Sequence, residues 1–221
     1  MALKLFLTGG GDQESFKKID QVFLKNLKPD SQVALLAHAC EDQQEALERI
    51  VYYFERPPIS QIDLIKKPSE EILNYDALMI EGGNTFELIQ QMRESSFFNL
   101  IKKFIDLGKP IYADSAGAII LGRDVHTAFL GDDGDDDQLR LQDYRGLGVL
   151  GDWCLHAHST EDDYEQLQDL LYDKGWPILA LSEEASVFIN KDEVEVLGPD
   201  DLWVIDFEGQ KKIPPGQKIV L

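Results

Sequence analysis

Between residues 2 and 114, short apolar runs alternate with amphipathic stretches, and this alternation restricts the possible folds more than any other feature. The runs "ALKLFLT", "QVALLAHA", "ISQIDLI", "DALMIEGG" and "KPIYAD" have the length of strands. Between the first two, Phe16, Ile19, Phe23 and Leu27 recur at helical spacing. Leu47, Ile50, Val51 and Phe54 make a second helical stripe, which Pro57-Pro58 ends. Two more helices are expected over 86–92 and 97–107. Strands separated by helices imply crossovers, and these give a mostly parallel sheet with helices on both faces: an α/β fold. The early strands read as apolar runs, as strands covered on both faces should. The tail differs. "PILALSE", "ASVFINKD", "EVEVLG" and "LWVIDFEG" are short and bounded by turn residues, so they are expected as strands or hairpins on the sheet edge. Neither a linker nor an internal repeat is visible, and residues 1–221 are expected to form one domain.

Composition excludes several functions. The 221 residues are 43% hydrophobic, enough for a sizeable core. A net charge of −20 without a basic run argues against nucleic acid and anionic membranes as partners, because both need cationic contacts to phosphate. No apolar stretch reaches the roughly 18 residues of a membrane span. "MALKLFLTGGG" is too short for a secretion signal and reads as a first strand. Cys40 and Cys154 lack metal or redox spacing and are expected as free thiols in a cytoplasmic protein. Monomer and dimer both remain open.

The stretch "PIYADSAGAIIL", Pro110 to Leu121, is the first candidate for chemistry. Ser115 falls on the turn from a strand into a helix, at a strand's carboxyl end, where ligands bind in open α/β sheets. Such a turn lifts a nucleophile toward substrate. The N–H of Ala116, at the helix start, could stabilise an oxyanion, and Ala-Gly-Ala lets the helix pass close to the sheet. The competing reading makes Ser115 a plain N-cap. "EGGNTFEL", Glu81 to Leu88, also follows a strand and opens a helix. Its N–H groups could supply a second oxyanion donor, or it is an ordinary glycine turn with a cap. His156 and His158 lie on one strand face as a general base and its neighbour, as metal ligands, or as structural histidines. "TGGGD" lacks the residues of a P-loop or a dinucleotide loop. "GDDGDDD", Gly131 to Asp137, lacks calcium-loop spacing and reads as a solvated, mobile loop.

Taken together, Gly82-Gly83-Asn84-Thr85, Ser115-Ala116-Gly117-Ala118 and the later His resemble the family of alpha-aspartyl dipeptidase (dipeptidase E) and cyanophycinase. These are serine peptidases on a fold related to class I glutamine amidotransferases. The resemblance runs from "LFLTGGG" to "SEEASVFI". It implies Ser115 as nucleophile, His158 as general base, and the N–H groups of Gly83 and Ala116 as oxyanion hole, with no metal or organic cofactor. The implied substrate is a short peptide, with N-terminal Asp dipeptides among the expected ones. A preference for Asp would need a cationic clamp, for which Arg123, Arg140 and Arg145 are candidates. Asp114 departs from the family pattern by placing a carboxylate next to Ser115. That departure favours the alternative of an inactive binding or sensory protein on the same fold. For the third triad member, Glu184 is expected over Asp136. Glu184 follows the strand "PILALS", and "LSEEASVF" resembles a cyanophycinase segment whose Glu falls there. Its neighbour Glu183 is expected to point elsewhere.

Overall fold

The computed structural model describes residues 3–221, so Ala2, where the first strand was expected to begin, lies outside the described residues. Five strands follow the alternation: β1 (Lys4–Thr8), β2 (Ser31–Leu36), β3 (Ile59–Leu64), β4 (Ala77–Ile80) and β5 (Ile111–Asp114). They pair in parallel in the order β1-β5-β4-β2-β3. Their side chains alternate between two cores. Leu5 and Leu7 enter one cluster while Phe6 enters the other, and Ala34 and Leu36 oppose Val33 and Leu35.

Helices cover both faces. They are α1 (Lys17–Lys25), α2 (Gln43–Phe54), α3 (Thr85–Glu94) and α4 (Phe97–Asp106). The starts of α2 and α3 are set locally. Asp42 accepts from the N–H groups of Gln44 and Glu45, and Asn84 from those of Phe86 and Glu87. On α4, Phe97, Leu100, Ile101, Phe104 and Ile105 form a buried stripe. Each such side chain contributes about 1.5–3 kcal/mol through burial. A four-residue helix, α5 (Ala116–Ile119), follows β5.

The tail divides in a way not anticipated. β8 (Ser186–Asn190) and β9 (Glu193–Val196) do form an antiparallel hairpin on the large sheet, with β8 against β1 and β12 (Lys218–Val220) outermost. β7 (Ile178–Leu181) and β10 (Leu202–Asp206) leave for a second sheet, ordered β11-β10-β7-β6, with β11 (Gly209–Ile213) and β6 (Cys154–His156). The reason lies in their faces. Leu179, Leu181, Leu202 and Val204 pack into the same core as β1 and β5, while Ile178, Ala180, Trp203 and Ile205 pack with Leu167 and Leu171 of α6 (Tyr164–Lys174). Strands with two apolar faces need a layer on each side, so β7 and β10 sit inside the second sheet, as β8, with Phe188 stacked on Phe6 opposite Val187 and Ile189, sits inside the large one. Among the described residues, no helix is long and apolar enough to cross a membrane.

Candidate active site

The carboxyl ends of β1, β2, β4, β5 and β6 meet around one cavity of about 490 Å³. Ser115 stands there with φ 48° and ψ −117°, a conformation that costs a non-glycine residue on the order of 1–3 kcal/mol. The N-cap reading fails, because the Ser115 side chain makes no capping hydrogen bond. Its Oγ instead lies 2.8 Å from His158 Nε2. The reason for Ala-Gly-Ala is visible at Gly117. A Cβ there would stand 2.3 Å from the carbonyl oxygen of Ile80, so the helix passes close to the end of β4, the strand beside its own.

His158 follows β6 and is also left-handed, with φ 55°. Its N–H donates to the Gly9 carbonyl (3.0 Å), and that of Ser159 to Leu181 (2.9 Å), so the second sheet is joined to the end of β1. The run Gly9-Gly10-Gly11 takes its purpose from these contacts. A Cβ on Gly9 would lie 1.9 Å from Ser182 O, one on Gly10 2.1 Å from His158 Cε1, and one on Gly11 2.1 Å from Glu183 O. The triple glycine is therefore the floor under the imidazole. Residue spacing could not show this, because the partners lie between 148 and 173 residues away in the chain.

At the ring's other nitrogen the structure differs from expectation. His158 Nδ1 lies 3.3 Å from Glu183 Oε1, a long hydrogen bond to a carboxylate that is 62% exposed. Glu184, expected to fill this position, is exposed near the same opening and makes no bond to the ring. Adjacent residues point to different sides, and the backbone of Glu183, seated on Gly11, gives the histidine side to residue 183. Asp136 is exposed and makes no bond to the ring; its backbone carbonyl accepts from Asn84 Nδ2 (3.1 Å). His156 and His158 also separate. His156 is buried, and its Nδ1 donates to the Thr127 carbonyl (3.0 Å), which leaves only His158 on Ser115. Among the described residues no His, Cys, Asp and Glu side chains group as a metal site would require.

β4 and β5 are neighbours, as expected, so the Gly82-Gly83 loop faces Ser115. A Cβ on Gly82 would lie 3.1 Å from that of Ser115. Gly83 has φ 119°, and a Cβ there would strike the carbonyl of Ala39 at 2.2 Å. Ala116 is the first residue of α5, so its N–H has no partner within the helix. The acidic run is not a free loop. Asp135 Oδ2 accepts from the N–H of Thr85 (2.8 Å), and Asp137 Oδ2 from Leu141 N–H and Tyr144 O–H (both 2.8 Å). Docked on the start of α3, the run lends Asp133 and Asp135 to the cavity wall.

Electrostatics below Ser115 are dominated by carboxylates. Asp114 turns toward β1 and accepts from Thr8 Oγ1 (2.5 Å); burial raises its carboxyl above the ordinary range. Glu81 is raised as well, by burial first and then by the charge of Asp114, although Arg49 Nη2 lies 2.5 Å from its Oε2. Cys40 also lines the cavity. Burial and then Glu81 push its thiol up to about 11, so it stays protonated and is a poor nucleophile at neutral pH. Arg123 pairs with Asp152 and Arg145 with Asp143, and neither these nor Arg140 line the cavity. The clamp expected for an N-terminal Asp is not at this site.

Glu81 also sets a pH-dependent cost. Its folded-state pKa lies above its unfolded one, so the folded state binds more protons in the window between them. Stability therefore falls as pH rises through that window, and the cost persists above it. Glu81→Gln is expected to raise Tm at about pH 7.5 by a few degrees, at roughly 2–4 °C per kcal/mol for a chain of this size. The gain should vanish near pH 4, where both forms are neutral. Thermal unfolding of the two proteins at both pH values checks it, and an equal or lower Tm for the variant at pH 7.5 would contradict it.

A family model described as peptidase family S51 matches residues 5–197. The chain belongs to peptidase family S51. It is a serine peptidase. Peptidase E of Shewanella baltica (strain OS185) is 25% identical over 171 residues, covering 73% of this chain and 70% of that protein. A solved structure of a peptidase from an acI-B1 actinobacterium superposes with a TM-score of 0.75 at 15% identity, covering 100% of this chain and 98% of that one. One from Listeria monocytogenes EGD-e gives 0.67 at 21%, covering 90% and 99%. At these identities the superpositions speak for the fold alone. It is the α/β fold that the alternation predicts, of the class I glutamine amidotransferase-like kind that the family resemblance implies.

Proposed function

We propose that this S51 peptidase hydrolyses short peptides near a free N-terminus, with Ser115 as nucleophile and His158 as general base. The observation that carries the reading is the 2.8 Å contact between Ser115 Oγ and His158 Nε2, made from a strained strand-to-helix turn. Ser115 Oγ bonds to the carbonyl carbon while its proton passes to Nε2. As the C–N bond breaks, the leaving amine takes that proton, and water then repeats the sequence to release the acid. The N–H groups of Gly83 and Ala116 are assigned to the oxyanion. Residues 1–221 are read as one peptidase domain.

Glu183 is assigned the orientation of His158, in place of Glu184. Glu183→Gln should lower kcat by about 10²-fold, less than in a buried triad, because water can reach and partly replace a carboxylate so exposed. Glu184→Gln and Asp136→Asn should stay within a few-fold of wild type. Steady-state hydrolysis of a dipeptide panel by the three variants decides between them. A large loss in Glu184→Gln with Glu183→Gln near wild type would return the role to residue 184.

A further inference from the structure

We propose that the catalytic cavity selects peptides whose N-terminal residue bears a positively charged side chain, Lys or Arg. The inference rests on the assignment of Ser115 as nucleophile. Five carboxylates line the cavity, from Glu41, Glu81, Asp114, Asp133 and Asp135, while Arg49 is its one Lys or Arg. Two of them are fixed beside the reacting atoms by sequence position. Glu81 directly precedes the Gly82-Gly83 loop, and Asp114 directly precedes Ser115. The charge of Arg49 is committed to Glu81. Asp135, also in the cavity lining, spends one oxygen on the N–H of Thr85.

Thr85 supplies the independent sign of a polar ligand. Its residue is fully buried, it lines the cavity, and its hydroxyl has no hydrogen-bond partner among the described residues. A buried hydroxyl without a protein partner calls for one from outside the chain. A negative wall with a free hydroxyl and several carboxylate oxygens complements an ammonium or guanidinium group. The α-amino group of any short peptide satisfies one charge, and this wall has room for a second. A substrate carboxylate side chain would instead meet like charge with no free cation to offset it. A bound cation would also favour the ionised form of Glu81, whose carboxyl is raised by burial and by Asp114.

The test uses the full chain with Lys-Ala, Arg-Ala, Leu-Ala and Asp-Ala, followed by amine release, together with fluorophosphonate labelling of Ser115. The expected result is a kcat/KM for Lys-Ala and Arg-Ala at least tenfold above that for Leu-Ala, with Asp-Ala lowest. The ratio should narrow in 0.5 M salt, because charge attraction is screened. It should also fall several-fold in Asp135→Asn and in Glu81→Gln, each checked by thermal unfolding to be folded. Cleavage of Leu-Ala or Asp-Ala as fast as Lys-Ala, with labelling intact, overturns the charge preference and leaves the peptidase assignment standing. Labelling without cleavage of any of the four also counts against the preference. Absence of labelling overturns the nucleophile assignment itself.

Discussion

Ser115→Ala should lose at least roughly 10³-fold in hydrolysis while remaining folded, as deletion of a nucleophile does in enzymes of this kind. The Oγ is the atom 2.8 Å from His158 Nε2, and the nearby thiol cannot replace it, since Cys40 is held protonated with its pKa up at about 11. Fold should not suffer, because the side chain caps nothing. A second substitution separates strain from chemistry. Ser115→Gly relieves the cost of φ 48° but gives up some entropy in the unfolded chain, for a net gain of about 1 kcal/mol, or a few degrees in Tm. It should be as inactive as Ser115→Ala. Peptide hydrolysis, fluorophosphonate labelling and thermal unfolding read all of these. Labelling of Ser115→Ala as strong as wild type would place the nucleophile elsewhere.

Gly10→Ala should cost at least about 10²-fold in kcat although Gly10 itself carries no group that reacts. Its new Cβ would lie 2.1 Å from Cε1 and 2.5 Å from Nε2 of His158, so the ring must leave its contact with Ser115. A displacement near 1 Å at a reacting group costs about this much. The residue also sits at φ 99°, so the variant is strained as well as crowded. Gly151→Ala is the matched comparison. Gly151 has φ 66° with open space where the Cβ would go, and it is remote from the cavity lining. It should lose stability from backbone strain yet retain activity. If Gly10→Ala keeps wild-type kcat with a lowered Tm, the glycines serve the backbone alone and not the position of the histidine.

Several elements were legible because their signals are local. The alternation of apolar periods identifies the parallel sheet and its helices, since a period of two or 3.6 is a property of neighbouring residues. A Ser between a strand and a tiny-residue helix start marks the turn at residue 115, and two such strand ends in succession place Gly82-Gly83 beside it. The general site, a turn serine and a histidine after a later strand, follows from these residues and from their family pattern.

Other elements took their meaning only from the tertiary structure, because they depend on pairing between segments far apart in the chain. The late strands look alike in sequence, and only their distant partners separate them: β8 pairs with β1 in the large sheet, while β7 pairs with β6 and β10 in the second. The acidic run has the composition of a free loop, yet the unpaired N–H of Thr85 at the start of α3 captures Asp135 and turns the run into a wall of the cavity. Gly9, Gly10 and Gly11 match no phosphate motif, and their need for glycine is imposed by Ser182, His158 and Glu183. The choice between Glu183 and Glu184 is the narrowest case. Residues 183 and 184 are the central pair of a turn closed by the Ala185 N–H on the Ser182 carbonyl (3.0 Å), and the seat of residue 183 against Gly11 decides which carboxylate reaches the imidazole. Local periodicity thus determined the scaffold and the turn that carries Ser115, whereas the side-chain directions that complete the site were decided by packing across the two sheets.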